Sequence, residues 1–205
     1  YLVERFYKSA YGDEIGTSTF GGTHTLPVPM VRYLEFMRDT QQIGKGVVVG
    51  QTGWETVLEN NKVAFALAFV TRTRFSGAYA TTLTPTDFVN QLFVKAGISP
   101  TAQQLQDAIN EFGGTGNTAD TAARGRALRR VAENPSLNNA EKNKAFVLLQ
   151  FIGYLRRDPN SGPDTDYTGY DFWLTKLNQF NGNFVNAEMV KAFIISGEYR
   201  GRFGP

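Results

Sequence analysis

Cysteine is absent from the 205 residues, and histidine occurs once, at His24. Without thiols, neither a disulfide framework nor a thiolate metal site holds the fold. With one imidazole, flanked by threonines and read as a loop residue, no pair of histidines is available for acid/base work or for a zinc or haem centre. Charge of one sign is lacking too, because 21 Lys and Arg face 19 Asp and Glu. No strong net field draws the chain to nucleic acid or to an anionic membrane. No apolar run approaches the roughly 20 residues of a membrane-spanning helix; the longest apolar-rich stretch is Val63 to Val70. The chain opens at Tyr1 with neither an initiator Met nor a signal-like segment, which sets the expectation of a piece of a longer precursor.

What is abundant is aromatic and aliphatic material, 41% of the residues with 16 Phe among them, enough for a packed core. Its spacing is helical. Apolar pairs recur every four residues at Leu2-Val3, Phe6-Tyr7 and Ala10-Tyr11; at Phe88-Val89, Leu92-Phe93 and Ala96; and at Phe146-Val147, Phe151 and Tyr154-Leu155. Each ladder stops at a breaker: Gly12, Gly97 with Pro100, and Pro159. Further similarity joins Ala68–Tyr79 to Ala192–Phe203 without gaps, pairing Phe69 with Phe193, Arg72 with Ser196 and Phe75 with Tyr199. The middle counterpart, Ala127 to Pro135, is eroded. The expected fold class is therefore all-α, with three divergent helical repeat units packed in one array. Residues 1–83 form the first unit with a Gly-rich insertion, 84–137 a degenerate middle unit, and 138–205 the best-preserved third unit.

Helices are predicted over 2–11, 31–43, 53–76, 85–97, 101–112, 118–133, 138–157, 169–180 and 184–203. Thr84 before Pro85, Thr101, and Asn138 with Glu141 are read as their caps. Residues 12–29, rich in Gly, Thr and Pro, read as a long surface loop, and Val47 to Val49 as the one short extended piece.

Chemistry-bearing signals sit in the joins. The loop Asp158 to Asp171 spaces hard oxygen ligands at alternating positions, so Asp158, Asn160, Asp164 and Asp166 form a candidate calcium set. The loop departs from an EF-hand by a Gly one place early and by the lack of Glu at the twelfth position. The competing reading is an Asx-turn loop that caps the next helix. The segment Gly44 to Gly53 reads either as an anion cradle of backbone amides or as a loop with Thr52 capping the following helix. Basic pairs at Arg72/Arg74, Arg124/Arg126, Arg129/Arg130, Arg156/Arg157 and Arg200/Arg202 suit helix C-terminal ends and bridges to carboxylates such as Glu198, or an interface with protein or glycan. Trp173 reads as a core anchor in register with Leu174, Leu177 and Phe180. Glu55 and Glu59 stand one turn apart without a facing pair, and no Ser/His/Asp arrangement occurs, so no catalytic residue is assigned and an enzyme is not expected.

Residues 146–199 carry a further signature: Phe146-Val147 with Phe151, then Tyr154-Leu155-Arg156-Arg157-Asp158-Pro159, then Gly169-Tyr170-Asp171-Phe172-Trp173-Leu174, then Ala192-Phe193-Ile194 with Ser196, Glu198 and Tyr199. This pattern resembles the bacterial domain of unknown function numbered 4214, and more distantly the phycobilisome linker domains. The resemblance implies an extracellular, cell-surface or periplasmic module without assigned catalytic residues. The aromatic-rich repeats, the lack of catalytic groups and the opening without an initiator Met set the expectation of a structural module that assembles through protein partners or copies of itself. A calcium-dependent adhesion or glycan-binding domain is the alternative.

Overall fold

In the computed structural model, which describes residues 1–204, eleven α-helices and one two-stranded sheet are present among the described residues. The chain is mostly helical. It divides into two compact units that interleave along the sequence. One, the helical unit, holds residues 2–12 and 34–138; the other, the hairpin unit, holds Tyr1, residues 13–33 and the described residues from 139 onward.

In the helical unit, α1 (Leu2–Tyr11) lies beside α5 (Pro85–Ala96) and α7 (Thr121–Ala132) and buries Val3, Phe6, Tyr7 and Ala10, with Phe6 and Tyr7 meeting the Phe69 ring. Helix α3 (Trp54–Val70) crosses α7 where Gly125 removes a side chain: a Cβ there would lie 3.2 Å from the carbonyl carbon of Ala66. Edge-on aromatic contacts run through the core, with ring centroids 4.9 Å apart for Phe6 and Phe65 and 5.3 Å for Tyr79 and Phe88. Caps explain several boundaries. The Thr84 side chain accepts from the Asp87 amide with Pro85 in the first turn, and Gly97, at φ 72°, closes α5. A full capping box joins Thr101 and Gln104 at the start of α6 (Ala102–Asn110), and Asp120 accepts from the amides of Ala122 and Ala123 to begin α7.

Other boundaries move. The helix expected over 53–76 stops at Val70, because Arg72 takes extended backbone angles (φ −64°, ψ 143°) before α4 (Thr73–Ala78). Gly53, left-handed at φ 85°, precedes α3 in place of a Thr52 cap. Val47 to Val49 lie in turns between α2 (Tyr33–Gly44) and α3, not in a strand. Helix α8 (Pro135–Gln150) begins three residues before the expected Asn138 cap: the Asn134 side chain accepts from the Ser136 amide, and Asn138 instead accepts from Arg5.

The hairpin unit corrects the reading of 12–29 as a loop. Strands β1 (Asp13–Ser18) and β2 (His24–Pro29) pair antiparallel, Asp13 opposite Pro29 and Ser18 opposite His24. Pro27 and Pro29 are tolerated because a two-stranded ribbon leaves edges that need no amide donor. Gly16 lets the ribbon sit on Tyr167, whose ring would meet a Cβ at 2.6 Å, and the Tyr167 amide donates to the Thr17 carbonyl at 2.9 Å. After Gln150 the chain widens into one π-helical turn, Phe151–Leu155, and ends at left-handed Arg156 (φ 53°). Helix α9 (Thr168–Gln179) follows the acidic loop, and the segment expected as one helix over 184–203 is two, α10 (Met189–Ile195) and α11 (Gly197–Phe203), broken at extended Ser196.

Candidate functional site

The π-helical turn brings the backbone round so that Arg157 points inward beneath the acidic loop. Its side chain is 7% exposed, and all five guanidinium N–H donors are used. Nε and Nη2 donate to the two Glu198 oxygens at 2.8 and 3.0 Å, and Nη2 also donates to Asp164 Oδ2 at 2.6 Å. Nη1 donates to the carbonyls of Asp158 and Pro159. The guanidinium also lies 5.4 Å from the centroid of the Phe151 ring. Arg202 adds a second cation to Glu198 at 3.2 Å. The Glu198 carboxyl is held below the usual range by its hydrogen bonds to Arg157, against the opposing effect of burial. For Arg157, burial works to lower the pKa, and the bonds to Glu198 and Asp164 overcome it, so the value rises.

Beside this cluster is a cleft of about 220 Å³, floored by Phe151, Phe193 and Trp173 and bounded at its polar end by Arg157, Asp164 and Glu198. Trp173 is half-buried in its wall and Phe180 is 40% exposed, so the face read as a core stripe is only partly buried; Leu177 is the member fully inside. The Trp173 ring meets Phe193 at 5.5 Å and Lys176 at 5.2 Å. Its indole N–H has no acceptor among the described residues.

Of the four residues read as a calcium set, Asp158, Asn160, Asp164 and Asp166, three carboxylates have hydrogen-bond partners of their own. Asp158 Oδ1 accepts from the Tyr33 amide at 2.7 Å, Asp164 binds Arg157, and Asp166 Oδ1 accepts from the Thr168 amide at 2.9 Å, the Asx-turn arrangement. No group of three His, Cys, Asp or Glu side chains suited to a metal gathers among the described residues.

Sequence reasoning did not single out a second cluster, in the helical unit. Asp39, fully buried, accepts from Arg72 through both oxygens at 2.7 and 2.8 Å, from the Tyr7 hydroxyl at 2.9 Å and from Arg38 at 3.0 Å. Burial, with Asp39 and Glu35 nearby, pushes the Tyr7 phenol upward; Tyr11 is pushed up to about 12, mainly by burial. Tyr7 acts as a neutral donor to Asp39 rather than as a base. Of the remaining basic pairs, Arg126 and Arg130 converge on Glu111, and Arg129 bridges Glu59 and Glu133, which places Glu59 in an ion pair rather than a carboxylate dyad. His24 stands at the start of β2 with Nε2 3.2 Å from Asp171.

The Gly-rich segment forms successive turns, Val47 to Gly44 and Gln51 to Val48, pinned by the Asn61 amide on the Ile43 and Lys45 carbonyls. No helix is long and apolar enough to cross a membrane among the described residues. No family model, curated protein or solved structure matches the chain.

Proposed function

We propose that this chain is a non-enzymatic structural module of a secreted or surface protein, built from divergent helical repeats, that assembles through contacts with a protein partner or with copies of itself. The observation that carries this reading is the solvent side of α3. One side of that helix buries Phe65, Ala66, Phe69 and Val70, while Val57, Val63, Ala64 and Leu67 face outward, with Val63 51% and Leu67 44% exposed. A surface helix ordinarily has polar residues on its outer side. The exposed apolar cluster of Val63, Ala64 and Leu67 has the composition of an interaction surface.

Repetition is supported by the backbone at two positions that the sequence alignment pairs. Arg72 (φ −64°, ψ 143°) and Ser196 (φ −61°, ψ 147°) each break a helix in the same extended conformation, one buried Phe three residues earlier. The resemblance of residues 146–203 to the domain of unknown function 4214 supports the surface-module part of the proposal.

Sedimentation velocity on the purified chain from about 1 to 100 µM tests it, a span that detects micromolar association. The expected result is a weight-average sedimentation coefficient that rises with concentration and ceases to do so in Val63→Glu/Leu67→Glu, whose thermal midpoint stays near that of the parent because both sites are exposed. A monomer at every concentration, or unaltered association in the double variant, counts against self-assembly through this face and leaves a protein partner as the occupant to be sought by the same variants.

A further inference from the structure

We propose that the cleft beside Arg157 in the hairpin unit is a binding site for one neutral sugar ring of a glycan. The inference goes beyond assembly and does not depend on it.

Size sets the first limit. A volume of about 220 Å³ is below the roughly 300–1,000 Å³ of pockets that enclose drug-sized molecules, so the cleft takes a single ring. Its floor sets the second: Phe151 and Phe193 are almost wholly buried, at 3% and 4% exposed, and Trp173, half-buried in the same lining, is the ring left to meet the apolar C–H face of a pyranose.

The polar end decides the chemistry. Because every donor on Arg157 already has an acceptor, the guanidinium has nothing to offer an anion; it fixes Asp164 and Glu198 in place. What remains is an acceptor: Asp164 uses only Oδ2, and its Oδ1 has no hydrogen-bond donor among the described residues. The site therefore calls for a hydrogen-bond donor. A cation is disfavoured, since the two carboxylates are balanced by Arg157 and Arg202 and the cluster has no net charge to attract one. An uncharged donor is left, a hydroxyl or an amide N–H, and a sugar ring brings several hydroxyls together with an apolar face. Placement adds support: the aromatic floor comes from the widened turn after α8, from α9 and from α10, so the ring would sit on helices rather than on a loop tip.

Trp54→Phe leaves Trp173 as the sole indole and makes its emission a direct report on the cleft. The probes are the methyl glycosides of glucose, galactose, mannose and N-acetylglucosamine, with n-butylammonium chloride as the cationic comparison. The expected result is a saturable change with at least one glycoside, with a Kd on the order of 1 mM, and none with butylammonium. Asp164→Ala removes the open acceptor and weakens binding tenfold or more. Ala192→Leu, which narrows the cleft without touching the ion pairs, does the same and covers the case in which Asp164→Ala disturbs the fold. No saturable change with any of the four glycosides overturns the proposal. So does preferential binding of butylammonium, which would mark a site for a partner's lysine side chain, and so does undiminished binding in both variants.

Discussion

Replacing Asp39 with Ala removes a fully buried carboxylate on which four hydrogen bonds converge, from Arg72 twice, Tyr7 and Arg38. Breaking a buried ion pair by deleting one partner costs about 3–5 kcal/mol, because the other charge is left without compensation. Arg72 retains 23% exposure and lies 4.7 Å from the centroid of Phe69, so water and the ring relieve part of that loss. A cost of about 3 kcal/mol follows for Asp39→Ala. In Asp39→Ala/Arg72→Met no charge is stranded, and the double variant should be less destabilised than the sum of the two single ones by about 2 kcal/mol. Urea unfolding of Trp173→Phe backgrounds, followed by Trp54 fluorescence, measures this in the unit that holds the pair. A coupling below about 0.5 kcal/mol would refute the assignment of Asp39 and Arg72 as a mutually dependent buried pair.

At the α3/α7 crossing, Gly125→Val places branches where even a Cβ meets Ala66 and Leu67 backbone at 3.2–3.3 Å; a loss of about 1–3 kcal/mol is expected. Gly77→Ala in α4 has nothing within 4 Å and serves as the contrasting case, gaining about 0.5–1 kcal/mol from helix propensity; equal effects at the two glycines in chemical unfolding would contradict the close crossing. Glu198 and Glu111 have pKa values lowered in the fold, Glu198 chiefly by its bonds to Arg157; at Glu111 burial works upward and the bonds to Arg130 and Arg126 together outweigh it. A carboxyl lowered on folding stabilises above its unfolded pKa, and that contribution is lost as pH falls through the folded one. Stability should hold from neutral pH down to the ordinary carboxylate range and then decline, less steeply in Glu198→Gln; an acid limb of unchanged steepness in thermal melts would remove Glu198 from the account.

The helical class was legible because it depends on local period and local caps. The ladder through Phe88, Leu92 and Ala96 lies in α5, between the Thr84 cap and Gly97, and the Thr101–Gln104 pair opens α6. The hairpin was not legible, since it buries Gly16 and Ser18 while Ile15 is 74% exposed, the reverse of an apolar alternation. The ribbon seats Gly16 against Tyr167, some 150 residues along the chain, a contact that no local pattern reports. The same distance effect hides the charged pairs: Arg72 with Asp39 and Arg157 with Glu198 lie 33 and 41 residues apart, and neither spacing has a helical or strand period to betray it. The acidic loop was conspicuous in sequence, but its oxygens are divided by neighbours that sequence cannot place: the Tyr33 amide, the Thr168 amide and the inward-turned Arg157. Sequence alone determined the local periodicity, the breakers and most helix starts, all of which depend on residues within a turn or two. Tertiary structure decided which charges pair, where a glycine is required and where a cleft opens, because those depend on which distant surfaces come into contact.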